Sequence, residues 1–590
     1  MCHPSTLTIS PARPRTIAER AARQRLLNCF LRETGTLPRE AAVPAAEVPL
    51  RVPLPESGAI LLGSLRYWSV LGHHAYGDEF WVQPDGSDVV TPVGHRDLVT
   101  LLLTELETLA TRAADDPSDG RQGRRRQAEL AAQIDNSVAR TSHYLERGRP
   151  PRPEASDPRA LTRRAEQSLL FGHPFHPTPK SAEGFSAQDL AAYAPELGVS
   201  FALHYFAVAP ELLVEDRVSS APWVPREVQQ QAQRLLGAEQ AGHALLPVHP
   251  WQAGYLLQQD AVGALVADGA LVPLGPLGNE VYPTSSVRTV CDPGFATSWK
   301  LPLHVRITNF VRNNPLEHAR RAADAGRLIE ALRPAWQHDG FEVLLETGYR
   351  TVADTALAAD LAVLYRENPF ATRGEAPQVV AGLLEENADG AEPEVLRYVR
   401  QATGRPEGRL PGDHVAVWLR RYLEISLLPL LAVFSVHGVS LEAHVQNSLL
   451  HLEGGWPARF SVRDMEGTSV SRQRWAEAGG RGVLPADSPV LYDDAEAWLR
   501  LKYYVVTNHL GHLVHVLGRH AEVDESRLWR VVRELVQEAA SDRYGAGRYA
   551  ADLLSSPVLP AKANLIGRFT GRGERPLYVD VPNPMHGVSR

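Results

Sequence analysis

The sequence predicts a mixed α+β protein built from several domains, and three observations support this. A chain of 590 residues is too long for one hydrophobic core, so two to four domains are expected. Helical and strand-like patterns both occur, in separate stretches. Two polar stretches with proline, glycine and charge, residues 147–158 and 385–413, interrupt these patterns. We therefore predict three regions, residues 1–158, 159–390 and 391–590.

Each region has its own pattern. In the first, residues 16–33 predict an amphipathic helix, residues 58–92 predict strands, and residues 98–145 predict helices interrupted by an exposed loop at 115–126. The second region mixes helices with strands such as residues 303–310. The third is mostly helical, and its apolar patterns near 416–450 and 496–517 predict packed helices.

Composition excludes several classes of protein. The hydrophobic and charged fractions, 44% and 22%, are ordinary for a soluble globular protein, and a net charge of −8 argues against nucleic-acid binding. Three cysteines without paired spacing exclude a disulfide framework and fit a reducing cytosol. The N-terminus shows no signal peptide, and the apolar stretch 425–441 contains Pro429 and is too short for a membrane span. We expect a cytoplasmic protein that binds neither nucleic acid nor membranes.

Residues 172–180, Gly-His-Pro-Phe-His-Pro-Thr-Pro-Lys, form a proline-stiffened loop. Such a loop would present His173, His176 and Lys180 from a rigid support, as phosphate binding requires. A structural turn with incidental histidines is the first alternative. The short spacing of the two histidines leaves a zinc site as the second, although no familiar third and fourth ligands accompany them.

Two further segments carry cations and hydroxyl groups. In Ser286-Val287-Arg288-Thr289, an extended backbone would point Ser286 and Arg288 to the same side, where arginine offers a planar fork for phosphate oxygens. Residues 301–307 have the pattern of a half-buried strand that begins after Lys300. Thr308 and Arg312 follow its end, which is where binding sites are usually built.

Carboxylates occur in two clusters. Extended backbone over residues 442–447 would place Glu442, His444 and Gln446 on one face. Asp464 and Glu466 follow across a Gly454-Gly455 turn, as in a hairpin. Facing clusters of this kind suit Mg²⁺, which takes few protein oxygens and completes its shell with phosphate and water. A structural salt bridge to Arg463 is the alternative.

Several common signatures are absent from the sequence. It has no Gly-x-x-x-x-Gly-Lys-Ser/Thr loop, no Gly-x-Gly-x-x-Gly fingerprint and no Gly-x-Ser-x-Gly elbow. A nucleotide would therefore be bound by a less common fold. Three histidines on a predicted helix, His509, His512 and His515, have a spacing more typical of packed or surface residues than of metal ligands.

In this order, the motifs resemble those of the siderophore synthetases that work without a nonribosomal peptide synthetase, the aerobactin-synthetase-like or NIS enzymes. The resemblance covers about residues 160–570. It implies a cupped hand with thumb, fingers and palm, corresponding to our three regions, and a homodimer. It also implies an enzyme that uses ATP and Mg²⁺ to adenylate a carboxylate of citrate or a related acid. An amine or alcohol then attacks, giving an amide or ester, AMP and pyrophosphate.

The resemblance also implies roles for individual residues. Those expected at the triphosphate are His176, Lys180, Ser286, Arg288, Thr289 and Lys300. Glu442 and Asp464 would hold Mg²⁺, with Gln446 and Asn447 near nucleotide or metal. Those expected at the acid substrate are Thr308, Arg312 and His444, together with Tyr504, Lys562 and Arg568. Lys300, Arg312 and His444 are the candidate catalytic residues. The loop departs from the family after Lys180, where Ser181-Ala182-Glu183-Gly184 replaces a second basic residue.

Two other functions fit parts of the sequence. A zinc-dependent hydrolase using His173, His176 and His249 would need stoichiometric zinc and no ATP. A non-catalytic protein that binds citrate or a ferric siderophore would use the same cationic pocket without consuming ATP. The spread of motifs over two regions favours the ligase, in which residues 307–314 incline us towards free citrate as the acid.

Overall fold

The computed structural model describes residues 13–36, 48–112, 120–148, 157–308, 310–335, 338–388, 390–480, 482–540, 546–571 and 576–587. The first region contains a five-stranded antiparallel sheet packed against three helices. Its elements are α1 (Pro14–Thr34), β1 (Val48–Leu54), β2 (Ala59–Tyr67), β3 (Ala75–Tyr76), β4 (Trp81–Pro84), β5 (Thr91–Pro92), α2 (His95–Arg112) and α3 (Gly120–Arg147). The predicted helix and strands are confirmed, whereas the predicted loop at 115–126 is wrong from Gly120 onwards; residues 115–119 lie outside the described ranges.

The second region is organised around an eight-stranded antiparallel sheet with strand order β8-β16-β17-β12-β11-β10-β7-β9. Its strands are β6 (Ala182–Glu183), β7 (Phe201–Val208), β8 (Leu213–Arg217), β9 (Ala244–Val248), β10 (Leu271–Pro283), β11 (Thr289–Cys291), β12 (Thr297–Lys300), β13 (Leu303–Ile307), β14 (Phe310–Arg312), β15 (Phe341–Val343), β16 (Glu346–Val352), β17 (Val363–Glu367) and β18 (Gln378–Val379). Its helices are α4 (Pro158–Gln167), α5 (Ala187–Tyr193), α6 (Arg226–Leu235), α7 (Pro250–Leu256), α8 (Asp260–Ala267), α9 (Leu316–Leu332), α10 (Ala358–Leu361), α11 (Phe370–Arg373) and α12 (Val380–Leu384).

Helices predominate in the third region. They are α13 (Glu394–Thr403), α14 (Gly412–Ile425), α15 (Leu427–His437), α16 (Arg472–Glu477), α17 (Asp494–Leu501), α18 (Gly511–Ala521), α19 (Glu525–Ala540), α20 (Gly547–Ser555) and α21 (Asn564–Phe569). The strands are β19 (Val439–Ser440), β20 (Ser448–Glu453), β21 (Trp456–Val462), β22 (Ser469–Ser471), β23 (Leu491–Tyr492), β24 (Val558–Lys562) and β25 (Tyr578–Pro582). A π-helical segment, Lys502–Leu510, joins α17 to α18, so the predicted helix over 496–517 is confirmed in its extent.

The second and third regions share a sheet and a core. Strands β15 and β18 pair with β21 and β20 to form the four-stranded sheet β15-β21-β20-β18. The largest hydrophobic core likewise joins Leu345 and Val380 to Trp418 and Trp529. A surface between the two regions is therefore held rigidly on both sides. The boundaries at residues 158 and 390 stay predictions.

The apolar stretch at 425–441 forms a buried helix. It contains α15, whose residues pack into the largest core, and the chain leaves the helix at Gly438, where φ is 73°. The pattern predicted as helix up to residue 450 is therefore wrong after His437, because the chain continues into β19 and β20. Within the described ranges, every helix is too short or too polar to cross a membrane.

Candidate active site

A cleft of about 650 Å³ lies between the second and third regions. Twelve of the sixteen site residues expected from the sequence line it, although they come from segments almost 300 residues apart. They are Lys180, Ser286, Arg288, Thr289, Lys300, Thr308, Arg312, Glu442, His444, Gln446, Asn447 and Asp464. Which substrate each residue contacts stays a prediction, but the fold brings these twelve side chains to one place.

Lys300 forms the centre of a charged cluster. It ends strand β12 with its side chain only 5% exposed, and its ammonium lies 2.7 Å from Asp464 and 2.8 Å from Glu466. Burial raises the pKa values of both carboxyl groups, but Lys300 together with Arg366 at Asp464, and with His318 and Arg288 at Glu466, outweighs burial and lowers both. The carboxylates therefore stay ionised at neutral pH.

A buried arginine supports this cluster from behind. Arg366 pairs with Glu346 at 2.6 Å and lies 3.4 Å from Asp464. Glu346 also accepts the backbone N–H of Met465, which fixes the turn that carries Asp464. Burial raises the pKa of Glu346, while Arg366 opposes that shift.

Two arginines of the same cleft have no carboxylate partner within the described ranges. The Arg288 guanidinium donates to the carbonyl oxygens of Arg312 and Asn313, at 3.1 and 3.2 Å. Arg312 donates to the Thr308 hydroxyl at 2.6 Å. Burial and the neighbouring Arg288 charge lower the pKa of Arg312 to about 10. Two desolvated cations side by side repel each other, so an anion between them would be stabilising.

Lys180 lies at the mouth of the proline-stiffened loop. Its ammonium is 2.5 Å from Glu196, and its backbone N–H donates to the Ser137 hydroxyl. Both charged side chains are at most 10% exposed. This pairing holds the Lys180 side chain in place, and a phosphate group would compete with Glu196 for it.

The segment that carries Ser286 is a turn, so the extended backbone predicted there is wrong. Ser286 accepts the backbone N–H of Thr289 at 3.1 Å, and Val287 adopts φ of 68°. Of the four non-glycine residues with positive φ in the described ranges, Val287, Thr308 and Asp464 all line the cleft. Such conformations cost about 1–3 kcal/mol each and concentrate at functional sites.

The segment 442–447 is also a turn, and the alternating face predicted for it is wrong. The His444 N–H donates to the Glu442 carbonyl, and the Asn447 N–H donates to the His444 carbonyl, both at 2.9 Å. Contacts with residues distant in sequence stabilise this turn. Gln446 donates to the Ser285 carbonyl, and the His509 ring lies 2.8 Å from the Ala443 carbonyl. Burial lowers the pKa of His509 to about 4, so this histidine is a neutral packing residue.

An ion pair that the sequence did not reveal fastens these turns together. Glu166, at the end of α4, binds Arg463 through two contacts of 2.5 and 3.1 Å, and the two side chains are 3% and 10% exposed. Glu166 also accepts the N–H and hydroxyl of Ser285. Arg463 donates to the Gln446 carbonyl. Arg463 therefore pairs with Glu166 and not with the carboxylates of the 442–466 hairpin, as the salt-bridge alternative required, and no sequence pattern connects residues almost 300 positions apart.

The carboxylates suit a metal ion that needs few protein ligands. Glu442 packs against Gly467, where a Cβ atom would lie only 1.7 Å from the Glu442 carboxylate. Position 467 must therefore be glycine for the Glu442 side chain to lie where it does. Among the described residues, no group of three histidine, cysteine, aspartate or glutamate side chains is arranged to hold a metal alone. Mg²⁺ is commonly bound by one or two carboxylates together with phosphate oxygens, which fits Glu442 and Asp464.

Four expected residues lie outside the cleft lining. Tyr504, on the π-helical segment, accepts a hydrogen bond from Lys562 at 2.7 Å, and burial with the nearby Glu442 carboxylate raises the pKa of Tyr504. This pair stands directly behind Glu442. His176 is buried in the loop, where its Nδ1 accepts the Thr178 N–H. Arg568, on α21, donates instead to the Gln133 side chain at 2.7 and 3.0 Å, which leaves it away from the acid pocket predicted for it.

The three histidines of the zinc alternative do not meet in the structure. His249 caps helix α7, where its Nδ1 accepts the Trp251 N–H, and its ring packs between Tyr193 and Phe201. His173 lines the cleft and contacts Asn508 at 3.1 Å. The geometry therefore gives the zinc hydrolase no support.

Comparisons with known proteins agree with the family resemblance drawn from the motifs. Residues 161–385 match the IucA / IucC family, and residues 416–577 match a family described as ferric iron reductase FhuF-like transporter. The chain is 36% identical to the L-2,3-diaminopropanoate–citrate ligase of Staphylococcus aureus (strain NCTC 8325 / PS 47) over 96% of both chains. It is 27% identical to the spermidine-citrate ligase of Bacillus anthracis, over 96% of this chain and 98% of that one.

The fold is also similar to that of a solved siderophore synthetase. The solved structure of ATP-bound aerobactin synthetase IucA from a hypervirulent pathotype of Klebsiella pneumoniae superposes with a TM-score of 0.82 at 24% identity, covering 96% of this chain and 99% of that chain. With full-length similarity at 36% identity and the motifs gathered in one cleft, the chain belongs to the IucA/IucC family of aerobactin-synthetase-like siderophore synthetases.

Proposed function

We propose that this protein is an ATP- and Mg²⁺-dependent ligase that joins a carboxylate of citrate to an amine or alcohol, releasing AMP and pyrophosphate. The observation that carries the proposal is one cleft lined both by four cations and by a pair of ionised carboxylates. The cations are Lys180, Arg288, Lys300 and Arg312, and the carboxylates are Asp464 and Glu466, which both contact Lys300. A simple citrate-binding protein needs the cations but not the carboxylates. A ligase that handles a metal nucleotide needs both.

The first step would join two anions. A citrate carboxylate oxygen attacks the α-phosphorus of ATP, the bond to the pyrophosphate oxygen breaks, and a citryl adenylate forms. Arg288 and Arg312 are placed to reduce the repulsion between the carboxylate and the phosphates, because Arg288 is buried, Arg312 is half-buried, and neither is paired with a carboxylate among the described residues. Thr308 orients Arg312 through their 2.6 Å hydrogen bond.

Glu442 and Asp464 are the residues that would hold Mg²⁺. A bound Mg²⁺ would offset phosphate charge. Lys300 holds Asp464, and Gly467 lets the Glu442 carboxylate approach the same turn. Gln446 and Asn447 hold the turn that carries Glu442 and His444, since Asn447 donates to the Glu442 carbonyl at 3.2 Å.

The second step would form the amide or ester. An unprotonated amine attacks the carbonyl carbon of the adenylate, the C–O bond to AMP breaks, and the amine nitrogen loses a proton. Burial lowers the pKa of His444 and keeps its imidazole neutral. Its Nδ1 accepts the Gln446 N–H at 3.2 Å, so His444 would act as the base only after giving up that hydrogen bond. Positioning of the two reactants in the cleft contributes in either case.

Citrate is the acid proposed because the named relatives share it while their amines differ. L-2,3-Diaminopropanoate and spermidine appear in the names of two relatives that align over almost the whole chain. We include the homodimer and the cytoplasmic location expected from the resemblance in this proposal. Size-exclusion chromatography with light scattering tests the dimer.

The test is pyrophosphate release from ATP and Mg²⁺ with citrate and a panel of amines, with AMP measured in the same samples. Citrate-dependent release that an amine accelerates supports the proposal. Release with a citryl monoamide but not with citrate would move the protein to a later condensation. Tight citrate binding without release of pyrophosphate would refute the ligase and favour a binding protein.

A further inference from the structure

A third arginine of the cleft, like Arg288 and Arg312, has no acidic partner in the part of the chain that the structure describes. Arg321, on helix α9, lines the cleft and donates only to neutral oxygens. Its NH1 binds the Pro489 carbonyl at 2.9 Å and the Tyr492 hydroxyl at 2.7 Å, and its Nε binds the Glu466 carbonyl at 3.3 Å. The second terminal nitrogen, NH2, makes no hydrogen bond to any described residue. The guanidinium is thus held in place with one edge available to a ligand.

Arg321 is separate from the cations proposed for ATP and citrate. Glu466 stands between them, because its carboxylate contacts Lys300 at 2.8 Å and His318 at 3.0 Å, whereas its backbone carbonyl accepts the hydrogen bond from Arg321. Lys300 is paired with carboxylates, and Arg288 and Arg312 are joined by the hydrogen bond from the Arg288 guanidinium to the Arg312 carbonyl. Arg321 therefore adds a positive charge without a described carboxylate partner at another part of the same cleft.

An aromatic ring fixes the orientation of this guanidinium. Tyr492 lies between two arginines, with the Arg321 guanidinium 5.5 Å and the Arg500 guanidinium 4.3 Å from the ring centre. Arg500 has a carboxylate partner, Glu496, at 2.9 Å. The positive potential that remains at this end of the cleft comes from Arg321.

We propose that Arg321 binds the carboxylate of the nucleophilic substrate, so that the amine is an amino acid with a free carboxylate. This inference rests on the proposed function. A planar guanidinium with a free edge matches a carboxylate by paired hydrogen bonds. A diamine or polyamine has no anion for Arg321 and is repelled by it and by Arg500. A distal carboxylate of citrate has the same chemistry, but Arg312, with Thr308 and His444, is already proposed for citrate.

The experiment compares each amino acid with the amine left when its carboxylate is removed. The pairs are 2,3-diaminopropanoate with 1,2-diaminoethane, ornithine with 1,4-diaminobutane, and lysine with 1,5-diaminopentane. Steady-state product formation is measured at saturating ATP, Mg²⁺ and citrate for the full-length wild type, Arg321→Leu and Arg321→Lys. Arg320→Leu is the matched control, because it removes the same charge from the neighbouring, exposed position of α9.

We expect the wild type and Arg320→Leu to prefer the amino acid of a pair. In Arg321→Leu, kcat/KM for that amino acid should fall about 10- to 100-fold, mainly through KM, as expected for loss of a hydrogen-bonded charge. The matching diamine should be used at least as well as before, because its repulsion by Arg321 is removed. The KM for citrate should not change, and Arg321→Lys should be intermediate because it keeps the charge but loses the fork.

Three results would overturn the proposal. Equal losses for the amino acid and its diamine would mean that Arg321 does not recognise the carboxylate. A raised KM for citrate with unchanged amine preference would assign Arg321 to citrate. A wild type that uses only diamines would exclude an amino acid. By contrast, a wild type that releases no pyrophosphate with citrate or a citryl monoamide refutes the proposed function itself.

Discussion

Replacing Lys300 with methionine tests the charged cluster at the centre of the cleft. The substitution keeps the length of the side chain and removes the ammonium that contacts Asp464 at 2.7 Å and Glu466 at 2.8 Å. Removing one partner from a fully buried ion pair costs about 3–5 kcal/mol. Lys300 is 5% exposed, but its two partners keep 25% and 22% exposure to cleft water. We therefore expect the lower end, about 3 kcal/mol of unfolding free energy at neutral pH.

The loss of stability should depend on pH with a definite sign. In the wild type, Lys300 holds the carboxyl pKa values below their unfolded values, which are about 4. That stabilisation is present above about pH 5 and is lost as the pH falls through the folded pKa values. Without Lys300, burial and mutual repulsion of the two carboxylates oppose their ionisation. The difference in stability between wild type and variant should therefore widen from about pH 4 to pH 7.

The assay is urea unfolding followed by fluorescence at several pH values, reported as midpoints because a chain of several domains need not unfold in one step. Lys502→Met is the control, since it breaks a lysine–aspartate contact of 3.0 Å away from the cleft. Citrate-dependent pyrophosphate release should fall about 100- to 1,000-fold in Lys300→Met, as when one preorganised catalytic donor is removed, and remain in the control. A midpoint difference that stays constant or narrows with rising pH would refute the electrostatic reasoning, and retained activity would refute the role of Lys300.

Three further substitutions test other parts of the site. Glu166→Gln leaves the buried Arg463 guanidinium without its carboxylate partner, so the urea midpoint should fall by the equivalent of about 3 kcal/mol and the KM for ATP should rise. An unchanged urea midpoint together with an unchanged KM for ATP would contradict the role of Glu166 in holding the two turns together. Gly467→Ala places a methyl group 1.7 Å from the Glu442 carboxylate, so activity should fall at least about tenfold and more Mg²⁺ should be needed, whereas Gly567→Ala, which meets nothing within 4 Å, should behave as wild type. Burial raises the pKa of Glu33 to about 7, so its contribution favours the fold below about pH 4 and is lost as the pH rises through 7. The thermal midpoint of wild type should therefore fall more than that of Glu33→Gln between about pH 5 and pH 8, and parallel pH curves would contradict the buried carboxyl.

Local patterns were sufficient where a segment's structure depends on its own residues. The first helix, expected at 16–33, spans Pro14–Thr34, because its apolar spacing and the glycine that follows it are local signals. The hairpin around Gly454 and Gly455 was predicted for the same reason, and β20 pairs with β21 across that turn. The strand expected at 303–310 is a hairpin of β13 and β14, since Thr308 turns the chain at φ of 58°.

The candidate site could be predicted in its membership but not in its geometry. Twelve of the sixteen residues selected from the motifs line one cleft. However, segments 286–289 and 442–447, which were expected to be extended, form turns. Their shape depends on bonds from distant residues, such as Gln446 to the Ser285 carbonyl and Arg463 to Glu166. Arg321 also escaped prediction, because on an amphipathic helix a cleft-facing arginine has the same sequence pattern as one facing solvent.

The pairing of cations explains how an acidic protein keeps an anion-binding cleft ready. Lys180 is held by Glu196, and Lys300 by Asp464 and Glu466, so these cations are ordered before any ligand arrives. Preorganised charges need little rearrangement when phosphate replaces a carboxylate partner, which is the condition under which fixed charges contribute most to catalysis. Asp464 is the shared element: the carboxylate proposed to bind Mg²⁺ is also the one that holds Lys300. Occupation of Asp464 by a metal would leave Lys300 with Glu466 as its remaining carboxylate partner of the two, so a phosphate group would have one carboxylate to displace and not two.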